Sequence, residues 1–365
     1  MRFKRIYIHK DVRDEPLVKQ IQSRPNLPIK MIDSIETLHA DLAHADDPIK
    51  RGKDVLLLSR QKGRFLKKCP GTQHYNCCGY QILHIGNFCS MDCSYCILQS
   101  YFNPPVCQFF VNHDDLFAEL EAQEQMTGVA RVGTGEFTDS FIWEQWSDLN
   151  TRLVQWFATQ NRWILELKTK TVAVGKLCGQ DHRRKTIAAW SLNTPKIVRS
   201  EEQGTASIGA RLRAAQKCAS WGYPLAFHFD PIVLYEGCEK DYEAVIRALF
   251  EHVSPENIVW ISLGTLRFMP QLKPLIQARF PESKIPYGEL IPGLDNKMRY
   301  FKPLRIQIYR HMVTILHGLA PDVTVYFCME DDEIWEKVMG FIPAEKGGLS
   351  AMLDESAMRH CGLRE

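Results

Sequence analysis

Residues 80–96, YQILHIGNFCSMDCSYC, decide how the rest of the chain is read. The run 80–86 is apolar and rich in β-formers, which predicts a buried strand. Cys89, Cys93 and Cys96 follow at once, three thiols within eight positions. Thiolates at this spacing can wrap one face of a cubane iron–sulfur cluster and ligate three of its four irons. The fourth iron stays open, as catalytic metal sites keep a position for substrate. An open iron can chelate the amine and carboxylate of a methionine moiety, and an electron passed into the adjacent sulfonium would break a C–S bond. The competing reading is a zinc knuckle. Zinc favours paired ligands from two separate clusters, and the chain has no second C-x2-C and no H-x3-H.

Downstream of the cysteines a rhythm sets in. Apolar, β-rich runs recur at 129–134, 163–168, 186–192, 224–229 and 258–263. Helical segments at 113–125, 150–160, 207–221 and 240–252 separate them. Strands alternating with helices predict a parallel sheet with helical crossovers. Six such units suit an α/β fold of the partial (β/α)6 barrel kind. Neither GxGxxG nor GxxxxGK[ST] appears to favour a nucleotide-binding sheet. In barrels of this kind the site lies where the strands end, which is where Cys89 falls.

Upstream, residues 1–60 read as a small α/β unit with strands at Arg5–His9, Ile29–Ile32 and Val55–Leu58 and a helical turn at Pro16–Ser23. The polar, basic stretch 61–79 reads as a connector, 80–300 as the barrel, and 301–365 as a C-terminal extension. That extension carries a helix at 304–318, a strand at 323–328 and an amphipathic helix near 331–339.

Composition sets the frame. The chain has 365 residues, 45% of them hydrophobic, enough for a sizeable core. No apolar run is long enough to span a bilayer, and the charged start of the chain lacks a signal core, so a cytoplasmic protein without membrane contact is expected. Twelve cysteines then point to metal or redox chemistry rather than disulfides. Cys178, Cys218, Cys238, Cys328 and Cys361 stand alone and read as small hydrophobes, while Cys69 and the Cys77-Cys78 pair lie close to the triplet in sequence. A net charge of +2 neither demands nor excludes a nucleic-acid partner.

The C-x3-C-x2-C spacing with Tyr95 before its last cysteine is the signature of the radical S-adenosylmethionine (SAM) superfamily. The resemblance narrows further. CSYCILQSY, then LELKTK, WSLN and FHFDP at later strand ends, resemble the spore photoproduct lyase family from about residue 4 to 330. That resemblance implies a partial (β/α)6 barrel holding a [4Fe–4S] cluster and SAM. The family's enzyme forms a 5′-deoxyadenosyl radical and splits a thymine dimer in DNA. By motif position it also implies roles for individual residues. Lys168 would meet the cosubstrate carboxylate, and Ser191 would hydrogen-bond the same portion. Thr138 and Asp139 would lie near the methionine and ribose. Gly133 to Glu136, and Gly135 and Glu136 in particular, would bind the cosubstrate ammonium. Lys297, Arg299 and Tyr300 match a basic-aromatic loop that engages DNA in the family, with phosphates taken by the cations and a base by the ring. His228 and Asp230 sit at a strand end, where a structural histidine is as natural as a functional one.

The match is incomplete. Glu136 stands where the family's repair enzyme has its hydrogen-donating cysteine, and Ile97 stands in place of a tyrosine. Glutamate has no weak X–H bond to give. Cys107 is the alternative hydrogen source, and with Tyr95 it completes the catalytic candidates. The leading expectation is a spore photoproduct lyase-like enzyme. It would be a monomer acting on damaged DNA and reduced by a small donor such as flavodoxin or ferredoxin. Two rivals are the same radical turned on another substrate, and a non-catalytic iron–sulfur protein that binds nucleic acid or senses redox state.

Overall fold

The computed structural model describes residues 3–24, 27–71, 74–123 and 128–363. The parallel strands expected from the rhythm are present. They form one sheet of eight, running from Val325–Phe327 at one edge through Ile258–Thr265, Leu225–Ile232, Thr186–Ser191, Trp163–Thr169, Ala130–Gly133 and Gln81–Leu83 to Leu66–Lys68 at the other. Every neighbouring pair is parallel except the last, which is antiparallel. The two edge strands do not meet, so the sheet is a curled half-barrel, as expected of a partial (β/α)6 fold. Thr186–Ser191 and Ile258–Thr265 are buried along their whole length. Parallel strands with both faces covered read as continuous apolar runs, which is why they were visible in the sequence.

The helices match their expected places closely. His113–Ala122, Leu149–Ala158, Ile208–Ser220 and Cys238–His252 are the crossovers, and Lys302–Leu319 and Asp332–Met339 follow. Positions 124–125 of the first predicted helix lie outside the described residues, as do the extreme ends of the first and last predicted units. A further helix, Leu349–His360, closes the chain. Ser356 Oγ donates to Val259 O (2.5 Å), and Asp354 accepts from the buried Arg131 of the Ala130–Gly133 strand (2.7 Å).

The front of the chain departs from the simple reading. Ile29–Ile32, Arg5–His9 and Val55–Ser59 form a parallel sheet that continues into Cys107–Phe110 and then Gly86–Asn87. The run read as one strand at 80–86 is therefore divided. Gln81–Leu83 joins the barrel, and Gly86–Asn87 pairs in the N-terminal sheet. Within the stretch read as a connector, Leu66–Lys68 is a barrel strand, and Val325–Phe327 of the C-terminal extension is another. The chain thus crosses from one sheet to the other just before Cys89, and the cysteine loop starts at their junction.

Gly52 marks how closely the N-terminal unit approaches. A Cβ there would lie 1.9 Å from Pro105 O, on the segment leading into Cys107. Gly52→Ala is expected to cost about 1–3 kcal/mol through overpacking against backbone. Thermal denaturation should show a lowered Tm for it. Gly63→Ala, whose Cβ meets nothing within 4 Å, should leave the Tm close to the parent's.

Candidate active site

Cys89, Cys93 and Cys96 lie on a short loop that is braced from every side. From the N-terminal unit, the buried Lys53 Nζ donates to the carbonyls of Cys89 (3.0 Å) and Met91 (2.5 Å). It also lies 3.6 Å from Asp92 and 4.1 Å from the Phe88 ring centroid. Phe88, just before Cys89, is fully buried and holds φ at +66°, a conformation bulky residues seldom adopt. Behind the loop, the buried Gln99 amide donates to the carbonyls of Cys93, Ser94 and Cys96 at 2.9–3.2 Å. Arg279, from the distant helix Leu272–Arg279, holds Gln99 Oε1 and pairs with Asp92 (3.2 Å) and Asp47 (2.9 Å). Asp92–Cys93 also pairs antiparallel with Glu202–Gln203.

On the barrel side a buried charge network meets the same loop. Lys170 Nζ lies 3.9 Å from Cys93 Sγ, 2.9 Å from Tyr95 Oη and 3.5 Å from Glu202. Tyr95 donates to Glu202, which Arg211, itself fully buried, grips at 2.5 Å. Burial alone would lower Lys170, but Cys93 and Glu202 outweigh it and raise its pKa. Tyr95 is thus a braced phenol in this network. Sequence reasoning singled out Lys168 and passed over Lys170, although side chains two positions apart share a face on a strand.

Burial pushes the Cys93 thiol up to about 12 and Cys89 well above the ordinary cysteine value, with Asp139 adding to the rise at Cys89. Metal ligation requires the thiolates, so loading such a site releases protons. Among the described residues no three His, Cys, Asp or Glu side chains converge tightly enough to hold a single ion, as a mononuclear zinc site would need. A cubane asks for less, because each thiolate meets a different iron. Asp139, the carboxylate that adds to the rise at Cys89, is already engaged. Its oxygens accept from Phe141 N, Lys170 N and Thr169 Oγ1, each at 2.9 Å. The donor set fits a cluster with one open iron.

The expected cosubstrate residues stand at adjacent strand ends. Glu136 follows Ala130–Gly133, Lys168 lies near the end of Trp163–Thr169, and Ser191 closes Thr186–Ser191. Lys168 Nζ is 3.8 Å from Glu136 Oε2, and both side chains are partly exposed. Burial pulls Lys168 down, but Glu136, Glu166 and Asp230 prevail and its pKa is raised. Gly135 is required here, since a Cβ would come within 2.9 Å of Lys168 Cβ. Thr138 is buried with its Oγ1 unpartnered, a polar atom aimed at nothing the chain supplies. The Asp139 carboxylate accepts from Phe141, Thr169 and Lys170 and so ties its own segment to the end of Trp163–Thr169. His228 lies 2.9 Å from Glu166 inside the barrel, and Asp230 pairs with Arg267 (2.9 Å).

Two further expectations meet a different geometry. Cys107 is fully buried in the N-terminal sheet, its Sγ 4.0 Å from Lys53 O, and burial raises it to about 12. It lies beneath the cysteine loop, with no exposed face through which to reach a substrate. Arg299 and Tyr300 are 1% and 7% exposed. Arg299 is held by Asp295 (2.7 Å) and Met329 O (3.0 Å), and Tyr300 Oη accepts from Leu234 N (3.2 Å). Lys297 lies 3.3 Å from the same Asp295. An aspartate four residues ahead of Arg299 engages both cations while Leu234 holds the tyrosine, and in this conformation the trio forms no open phosphate-binding surface.

Residues 69–302 match the family model described as spore photoproduct lyase. The chain belongs to the spore photoproduct lyase family. A spore photoproduct lyase of Clostridium acetobutylicum is 22% identical over 254 residues, covering 69% of this chain and 71% of the relative. One from a Geobacillus species is 27% identical over 219 residues, covering 59% of this chain and 62% of the relative. Among solved structures, a cysteine-to-alanine variant of spore photoproduct lyase superposes with a TM-score of 0.80 at 21% identity, over 90% of this chain and all of that one. A double variant bearing SAM and a dinucleoside spore photoproduct gives 0.77 at 22% identity, over 89% of this chain and 98% of that one. The family is one of radical SAM enzymes that use a [4Fe–4S] cluster. The fold and the family resemblance read from the sequence both hold.

Lys53 gives the loop geometry a direct test. Lys53→Met removes a buried cation from two carbonyls and a carboxylate, a loss of about 3–5 kcal/mol if uncompensated. Iron and sulfide per chain after anaerobic reconstitution should fall several-fold, while Lys53→Arg should keep most of both.

Proposed function

We propose that this chain is a radical SAM enzyme that acts on a photodamaged base in DNA, with Cys89, Cys93 and Cys96 as the cluster ligands. One observation carries the reading. Three thiols share a single braced loop, and an oppositely charged pair stands at the neighbouring strand ends. When bound, the cluster supplies the electron that cleaves SAM to a 5′-deoxyadenosyl radical. The chain's own residues position and shield. Glu136 and Lys168 are complementary to the ammonium and carboxylate of an amino acid, and their 3.8 Å separation is loose enough for a zwitterion to replace the direct contact. The unpartnered hydroxyl of Thr138 and the strand-end Ser191 supply further polar contacts. Lys53 and Lys170 lie beside the cysteine loop as buried cations and favour the negative charge that three thiolates bring.

A DNA lesion as substrate is supported by the family and by the relatives crystallised with a dinucleoside spore photoproduct. The electron would come from a small carrier such as flavodoxin or ferredoxin. No helix among the described residues is long and apolar enough to cross a membrane.

Reconstituted protein given dithionite and SAM should form 5′-deoxyadenosine, read by chromatography; none from a fully loaded sample would leave only a non-catalytic role. With an ultraviolet-irradiated oligonucleotide, the photoproduct should be consumed and thymine restored. Cys93→Ala should lose brown colour and turnover together. Glu136→Gln and Lys168→Met should each weaken SAM binding roughly tenfold by calorimetry, the scale of one charged hydrogen bond.

A further inference from the structure

The trio expected to touch DNA is turned inward, yet an exposed basic-aromatic surface exists on the opposite rim of the barrel mouth. Tyr101 ends the short helix that follows Cys96 and is 62% exposed. Its ring stacks on Phe137, next to Glu136, with centroids 6.2 Å apart and planes 16° from parallel. Phe102 and His84 pack edge-on or tilted against Phe137 at 6.2 and 4.6 Å and hold it in place. Burial lowers His84 to about 4, so this support is an uncharged ring at neutral pH. The shelf is therefore rigid below and open above.

Cations flank it. The edge strand Leu66–Lys68 runs past the same rings, with Lys67 Nζ 6.0 Å from the Phe137 centroid. Arg64 and Lys68 are exposed and in no ion pair among the described residues, while the half-buried Lys67 Nζ lies 2.8 Å from His84 Nδ1. Arg60 and Lys62, in the same basic run, are paired with Glu15, Asp115 and Asp11. Two carboxylates lie near: Glu136 faces Lys168, and Glu119 accepts from the backbone N–H groups of Phe65 and Leu66 at the start of that strand.

We propose that Tyr101 and Phe137, with Arg64, Lys67 and Lys68 beside them, form the landing surface for an unstacked or single-stranded stretch of nucleic acid. The rings take a base and the cations take the flanking phosphates. Aromatic rings flanked by cations are what non-specific single-strand binding uses, because every base has a π-face and every link a charge. The surface would deliver a flipped base to the adjacent strand ends, where unstacking energy of a few kcal/mol must be met. This inference rests on the nucleic-acid reading given above.

The test uses the reconstituted holoprotein and fluorescence anisotropy with a labelled 12-nucleotide single strand at several salt concentrations. Tyr101→Ala should weaken binding ~10-fold with the salt slope unchanged, whereas Tyr101→Phe should bind like the parent. A triple Arg64→Gln, Lys67→Gln, Lys68→Gln variant should bind more weakly and lower the salt slope by roughly two to three. Unchanged binding in both the alanine and triple variants would overturn the proposal. So would a triple variant that loses only its reduction by an acidic electron-carrier protein, which would make the surface a protein dock. Formation of 5′-deoxyadenosine without nucleic acid is measured on every sample. If the parent makes it and no variant changes oligonucleotide binding, the surface fails and the radical enzyme stands; if the parent makes none, the underlying reading fails on its own.

Discussion

A buried ammonium in a loop of carbonyls organises this molecule. Lys53 belongs to the N-terminal α/β unit, yet its charge is spent on Cys89, Met91 and Asp92. A lysine this deep is stable only if its donors are met, and here backbone oxygens and one carboxylate meet them. The same contacts freeze the backbone that carries the three thiols. Arg279 repeats the arrangement from the other side through Asp92 and Gln99. The cysteine loop has almost no regular structure of its own, so its shape is imposed by cations reaching in from two distant parts of the chain.

This explains why the N-terminal sheet borrows strands from beyond residue 60. Cys107–Phe110 and Gly86–Asn87 complete that sheet and bracket the cysteine loop in sequence. The loop is tied at its start, at its end and through Lys53 to one rigid body, while Lys170 and Glu202 tie it to the barrel. The appended unit is thus part of the site's scaffold.

Much of the barrel was legible because buried parallel strands are uniformly apolar and their helices are amphipathic. The triplet was legible because its spacing is tied to one kind of chemistry. What escaped was pairing choice and side-chain direction. Nothing in YQILHIG tells which half joins which sheet, since both halves are apolar. Lys53 sits in a basic run, KRGK, with nothing in its neighbours to show that it is buried; close packing of Gly52 on Pro105 accompanies its turn inward. Arg299 and Tyr300 read as an exposed hairpin tip, but the i,i+4 partner Asp295 turns the arginine into the fold. Nor does the sequence show the three donors that meet the Asp139 carboxylate, two of them from the neighbouring strand end.

The grip of Arg279 on Asp92 and Gln99 spans about half the chain. During synthesis the three thiols emerge from the ribosome long before that arginine does, with most of the barrel strands made in between. Until then the loop lacks one of the two cations that reach into it from distant parts of the chain. The cysteine loop therefore reaches its final shape only once the helix ending at Arg279 has been made.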